Sequence, residues 1–328
     1  MGRKPRKRRG SRPVDAAMRA ERPEKTAIRR IWIDKLGPYH HECPEGALLY
    51  VFLPGADGYE IELLAQNEFI QLTETGGIAQ TSMLRIAAIE SNKLAVAALQ
   101  KKFPGLKIYE TNFQGLIRGD GLLNYPDGEH RQCCRARVLN LDLNEVLSVQ
   151  GDEYSFPIFR WIQKLGEIHS VAPRLDWCLY LTLHGEIKWN QNASSIIRQF
   201  LSENFNRAGN YALQSRRILG EEIFSRISED DEIDFSGLDR ELQQKILMLF
   251  VPKKIADVVR AQMWRLETEV NLRYGQPGHA PMVTWVIHFK HDPRAAATPD
   301  AVYVQSVNRV LEFAGQIDAN GEVIFDGQ

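Results

Sequence analysis

No apolar run in this 328-residue chain approaches the roughly 18 residues that a membrane span requires, so nothing in it is expected to cross a bilayer. The basic N-terminus has no apolar segment behind it, which argues against a secretory signal. Cysteine is scarce: there are four, at positions 43, 133, 134 and 178, and none forms a CxxC pair. That usage favours reduced thiols and a cytoplasmic location over a disulfide scaffold or a zinc site. His40, His41 and Cys43 together with Cys133 and Cys134 would be the grouping to gather a metal, but a loop and the start of a buried strand is the plainer reading. Neither GxSxG, HExxH nor a P-loop occurs, and GxGxxG is absent too, which ranks a dinucleotide-dependent oxidoreductase last among the function classes.

What is present is ordinary in bulk and uneven in distribution. Apolar residues make up 44% and charged residues 25%, as expected of a globular chain long enough to bury a sizeable core. The net charge of -1 conceals an asymmetry, because "RKPRKRRGSR" (3–12) holds seven basic residues and no acid. The remainder carries 34 basic against 42 acidic residues, a net of -8. Residues 1–13 are therefore expected to be a disordered basic tail, since like charges repel and there is nothing apolar to bury. Arg3, Lys4, Arg6, Lys7, Arg8 and Arg9 would neutralise DNA or RNA phosphates; a solvated tail or a localisation signal explains them equally well.

Residues 14–44 read as a helical lead-in. From there, short apolar runs alternate with helical patterns: strands are expected at 47–53, 84–90, 106–111, 136–144 and 176–185, and helices at 58–69, 92–103 and 156–169. Apolar strands that do not alternate, separated by helices, imply a parallel sheet covered on both faces, and right-handed crossovers make it doubly wound. Region 190–272 reads as almost all helix, and its first part (190–251) is set apart as an insertion that offers a surface to a protein partner. Two further strands, at 282–291 and 301–313, close the pattern within a C-terminal part spanning 252–328.

Five alternating units followed by a hairpin-like strand pair resemble the class I S-adenosylmethionine-dependent methyltransferase fold, over about residues 45–313. The resemblance implies an α/β fold, a doubly wound and mostly parallel sheet of seven strands ending in an antiparallel pair, with 45–189 as its Rossmann-like cofactor half. It also implies S-adenosylmethionine as cofactor and assigns roles position by position. In "FLPGADG" (52–58), Gly55 and Gly58 stand where the family's backbone approaches the cofactor, and Asp57 replaces the acidic residue expected at the strand end, where Leu53 and Pro54 stand instead. In "RIAAIESN", Glu90 ends the second strand, where the family holds ribose hydroxyls; the alternative is an acid at a helix N-terminus. Asn112 and Phe113 fall where adenine is contacted, or are a helix cap and a core aromatic.

"VLNLDLNEVL" (138–147) is the most distinctive stretch, because Asn140, Asp142 and Asn144 alternate with leucines and so share one side of a strand expected to be buried. In the family this strand end faces the transferred methyl group, so Asn140, Asp142 and Asn144 are the candidate catalytic residues. The stretch lacks the Asn/Asp-Pro-Pro-aromatic loop of amino-methylating DNA enzymes, and the chain has no Pro-Cys pair such as cytosine-C5 enzymes need. His184, after the fifth strand, is either a base or a surface histidine, and Trp189 is either a core aromatic or a base-stacking side chain. Two functions follow: a methyltransferase-like protein with an unspecified acceptor on or near nucleic acid, and an inactive scaffold of the same fold that binds nucleic acid and a protein partner.

Overall fold

Leucines on one side of the fourth strand and polar groups on the other set the organisation of the whole sheet. The computed structural model describes residues 22–54, 57–118, 129–149, 156–188, 191–207, 209–229, 235, 237–276, 278–297 and 311–326. In chain order its elements are α1 (Pro23–Asp34), α2 (Gly37–Glu42), β1 (Tyr50–Phe52), α3 (Tyr59–Gln66), β2 (Ile86–Ile89), α4 (Lys93–Lys102) and β3 (Lys107–Tyr109). Next come α5 (Phe113–Arg118), α6 (Glu129–Cys134), β4 (Val138–Ser148), α7 (Pro157–His169), β5 (Trp177–Lys188), α8 (Gln191–Arg207), α9 (Gly209–Leu219), α10 (Glu221–Glu229) and α11 (Arg240–Val259). The last are β6 (Trp264–Tyr274), β7 (Met282–His291), α12 (Arg294–Ala297), β8 (Ala314–Ile317) and β9 (Val323–Phe325).

The strands form one nine-stranded mixed sheet in the order β3-β2-β1-β4-β5-β7-β6-β8-β9. Pairings from β3 through β5 are parallel, β7 runs antiparallel to both β5 and β6, and β8 is parallel to β6. Alternate residues feed two cores. Val51, Ile89, Leu139, Leu141 and Leu179 pack under α5, α7 and α11, whose Phe113, Ile162 and Phe250 join the same cluster. Tyr50, Phe52, Ala88, Val138 and Tyr180 pack on the other face beneath α1, α3 and α4, through Trp32, Leu64 and Leu99. Both faces being covered explains why the strands read as continuous apolar runs.

Two expectations are corrected. Among the described residues the sheet has nine strands where seven were expected, because β8 and β9 extend the β6 edge. Residues 264–274, read as helix, form β6: Trp264, Leu266, Thr268 and Val270 are buried in alternation with charged neighbours, a period of two, and Met263 at φ +66° ends the preceding helical turn. The helices of 190–251, expected as an insertion, lie between β5 and β6 in the chain. They share the core of α5 and α7, and α11 runs past the expected boundary to Val259, buried along most of its length between the sheet and α8–α10. The strand expected at 301–313 falls mostly outside the described residues, as do the tail and Trp189. Among the described residues, no helix is long and apolar enough to cross a membrane.

Candidate functional site

The crevice arises from unequal strand lengths. β1 ends at Phe52, paired with Asn140 of β4, while β4 runs on to Ser148 with only β5 beside it. From β1 the chain winds outward to β2 and β3, then crosses back to β4 on the other side. The loops leaving β1 and β4 therefore diverge and leave a gap at the carboxyl edge, where open α/β sheets bind ligands. A cavity of about 790 Å³ occupies that gap, within the range of small-molecule sites. Its walls are Leu53, Pro54 and Asp57 after β1, Glu60 of α3, Ile89 and Glu90 after β2, Thr111–Gln114 after β3, and Asp142, Leu143 and Glu145 of β4. Arg22, Arg29 and Trp161 complete it.

Five residues singled out in the sequence, Asp57, Glu90, Asn112, Phe113 and Asp142, thus line one cavity. Their local commitments differ. One oxygen of the half-buried Glu90 accepts the backbone N–H of Asn92 at 2.7 Å, and its other oxygen has no partner among the described residues. Asn112 Oδ1 accepts the Gly115 N–H at 2.7 Å, so this residue caps α5, and Phe113 is buried edge-on to Trp161 at 6.3 Å in the core. The cap and core-aromatic alternatives therefore describe what these two side chains do, although both also face the cavity. Asp57 is exposed and accepts from its own loop, at Tyr59 N.

Gly58 does not line the cavity. It has φ +61°, and a Cβ there would lie 2.6 Å from Phe103 Cε2 and 2.9 Å from Leu99 Cδ2. Close packing of the α3 start on α4 accounts for this glycine, where the sequence had suggested approach to a cofactor. Gly55 lies outside the described residues, as does the side chain of Asn144. His184 stands half-buried on β5, its Nδ1 accepting from the Glu186 N–H at 3.3 Å.

Asn140 and Asp142 share the face of β4 that looks toward α1 and α3. Asn140 is fully buried, and its Nδ2 donates to the Tyr50 hydroxyl at 2.7 Å and to Glu60 Oε1 at 3.0 Å. Asp142, two positions beyond the end of β1 pairing, takes an ion pair from Lys25 of α1. Glu60 was not anticipated. Burial pushes its carboxyl up to about 8, with Arg29 and Lys25 pulling it down and Asp142 and Asp57 adding to the rise. A buried carboxyl on a crevice wall with a shifted protonation range makes Glu60 a candidate for acid–base work. The signal was legible in "YEIELLAQ": Glu60 stands three and four residues before Leu63 and Leu64 and shares their buried face, while Glu62 pairs outward with Lys102.

The four cysteines form no disulfide, and among the described residues no group of three or more His, Cys, Asp or Glu is placed to hold a metal ion. No protein-family model matches the chain, and no curated protein matches its sequence significantly.

Proposed function

We propose that this chain is an S-adenosylmethionine-dependent methyltransferase-like protein. The observation that carries the reading is the convergence of Asp57, Glu90, Asn112, Phe113 and Asp142 on one cavity at the point where the strand order reverses. The order itself supports it: five parallel strands followed by an antiparallel β7 and its partner β6 is the arrangement that the sequence resemblance implied.

The residues present fit the cofactor. Glu90 has a carboxylate oxygen to spare for ribose hydroxyls, and Leu53, Pro54, Ile89 and Phe113 offer an apolar wall to a base. When bound, the sulfonium supplies an electrophilic methyl group. The chain's own contribution is alignment and exclusion of water. Asn140, held by Tyr50 and Glu60, fixes the β4 end of the cavity, and Asp142 presents a carboxylate where an acceptor would lie. The basic segment at 3–12 would bring this site to DNA or RNA.

Calorimetric titration of S-adenosylmethionine into wild type and Glu90→Ala tests the reading. Micromolar binding that weakens roughly ten- to hundredfold in the variant is expected, the worth of a charged hydrogen bond. No binding to folded wild type would retire it in favour of a scaffold with the same sheet. One observation favours that second reading: Pro54 is buried against the cavity on the β1 side, and Asn112 and Phe113 are already spent on a cap and a core contact.

A further inference from the structure

We infer that the β4 end of the crevice is a subsite for an alkylammonium group, filled in this structure by the chain's own Lys25. Under the methyl-transfer reading, on which this assignment rests for its chemistry, the amine is the methyl acceptor. The bound ammonium would pass a proton to the Asp142 carboxylate, and the freed nitrogen lone pair would take the methyl as the sulfonium S–C bond breaks and a neutral thioether leaves.

Lys25 Nζ donates to Asp142 Oδ2, and the two side chains are only 18% and 21% exposed. The Trp32 ring lies with its centroid 5.5 Å from the same nitrogen. A carboxylate and an aromatic face are the two partners a desolvated ammonium seeks. Behind them lie buried polar atoms with hydrogen-bonding capacity to spare. Glu60 and Asn140 are 5% and 0% exposed, and Glu60 Oε2 and Asn140 Oδ1 have no hydrogen-bond partner among the described residues. Glu60 feels the charges of both Lys25 and Asp142, so these groups form one electrostatic neighbourhood. An ammonium brings three N–H donors, which the Asp142 carboxylate and the free Asn140 amide oxygen can accept.

Lys25 is a poorly secured occupant. It sits in the first turn of α1, where the helix dipole opposes a cation. That helix starts at Pro23 with no side-chain cap from Arg22, which leaves its first turn held by the buried Glu24 and by bonds from Lys25 and Thr26 N–H to the Arg22 carbonyl. An incoming amine on an unbranched alkyl stem takes the place of Lys25 against Asp142 and offers its remaining donors to Glu60 and Asn140. The free amine of a small molecule and the side chain of a polypeptide lysine carry the same chemistry.

The test uses the full chain, with n-butylamine and a short lysine-containing peptide as probes and n-butanol as the uncharged control. By calorimetry, n-butylamine is expected to bind Lys25→Ala at least tenfold more tightly than wild type, and the added Asp142→Asn change is expected to abolish that binding. In wild type, hydrogen exchange in the first turn of α1 is expected to accelerate with n-butylamine and not with n-butanol. That second readout needs no variant and does not move if Lys25 is merely a structural ion pair. Tighter binding of the peptide than of n-butylamine assigns the site to polypeptide lysine; the reverse assigns it to small amines. Unchanged exchange at saturating amine, binding indifferent to Asp142→Asn, or equal binding of n-butanol overturns the subsite. S-adenosylmethionine titrated in parallel separates the two ideas. Its binding without amine binding sinks the subsite alone, and amine binding without it sinks the methyl-transfer reading alone.

Discussion

Two buried side chains tie stability to pH in opposite senses. Glu60 has its carboxyl pushed from an ordinary 4.5 up to about 8 by burial. Its neutral form is favoured in the fold, so its contribution is full below about pH 4.5 and is lost as pH rises toward 8. His169, buried and stacked on Trp177 at 4.3 Å, is pushed by burial from 6.5 down to about 3. Its contribution is present above pH 6.5 and is lost as pH falls toward 3. Glu60→Gln keeps the shape of the neutral acid and removes the titration. Urea unfolding is expected to show the variant gaining about 1–3 kcal/mol on wild type between pH 5 and pH 8. A flat difference would mean that Glu60 is ionised in the fold. His169→Phe is expected to flatten the acid limb instead, measured the same way at pH 4 to 6.5. Gly58 gives a third test at this scale. Alanine there must adopt φ +61° and push on Phe103 and Leu99, so Gly58→Ala is expected to lower stability by about 2–4 kcal/mol. Partial recovery in Gly58→Ala/Phe103→Leu would place the cost in that contact.

Among the elements, β6 makes the sharpest claim, because its residues carry helix-forming types in a strand's pattern. Trp264 and Leu266 are 1% and 2% exposed, and the Trp264 indole donates to the Gly166 carbonyl of α7 at 2.9 Å. Arg265 and Glu267, between and beyond them, pair with each other on the outer side. Alanine scanning by urea midpoint is expected to cost about 2–5 kcal/mol at 264 and 266 and under about 0.5 kcal/mol at 265 and 267. A period of three to four would restore the helix. The same contrast explains what was legible. β1 to β5 and α7 announced themselves through local runs of apolar residues, and their bounds fell within a few residues of expectation. β6 was absorbed into the helix before it, because "RLETEV" is short and its partner β7 is what buries it. Glu90 and Asp142 were legible because a carboxylate at a strand end is a local feature. Lys25 against Asp142, 117 residues apart, and Gly58 against α4 were not, because only the fold brings such pairs together.

At the scale of the whole molecule, the arrangement of charge matters more than its sum. Outside residues 3–12 the chain is net acidic by eight, and the carboxylates Asp57, Glu90, Asp142 and Glu145 look into the crevice beside the neutral acid Glu60, against Arg22, Arg29 and the Lys25 paired with Asp142. Such a body repels a polyanion and attracts a cation, which suits a sulfonium cofactor and an ammonium ligand and disfavours a nucleic-acid face on the fold. Any affinity for DNA or RNA then has to come from the seven basic residues of 3–12. If each neutralises one phosphate, binding falls with salt at a logarithmic slope of about -6 on duplex DNA and about -5 on a single strand. Filter binding or fluorescence anisotropy from 50 to 200 mM salt is expected to give slopes of that size for wild type. Deletion of residues 1–12 is expected to leave neither the slope nor measurable binding, while S-adenosylmethionine titration is unchanged. Binding that survives the deletion would require a basic surface that the acidic body does not offer at its crevice, and would move the search to the sheet's opposite flank. There Arg240, Arg273 and His279 line a cavity of about 650 Å³ together with Glu241 and Asp318, and both arginines are ion-paired.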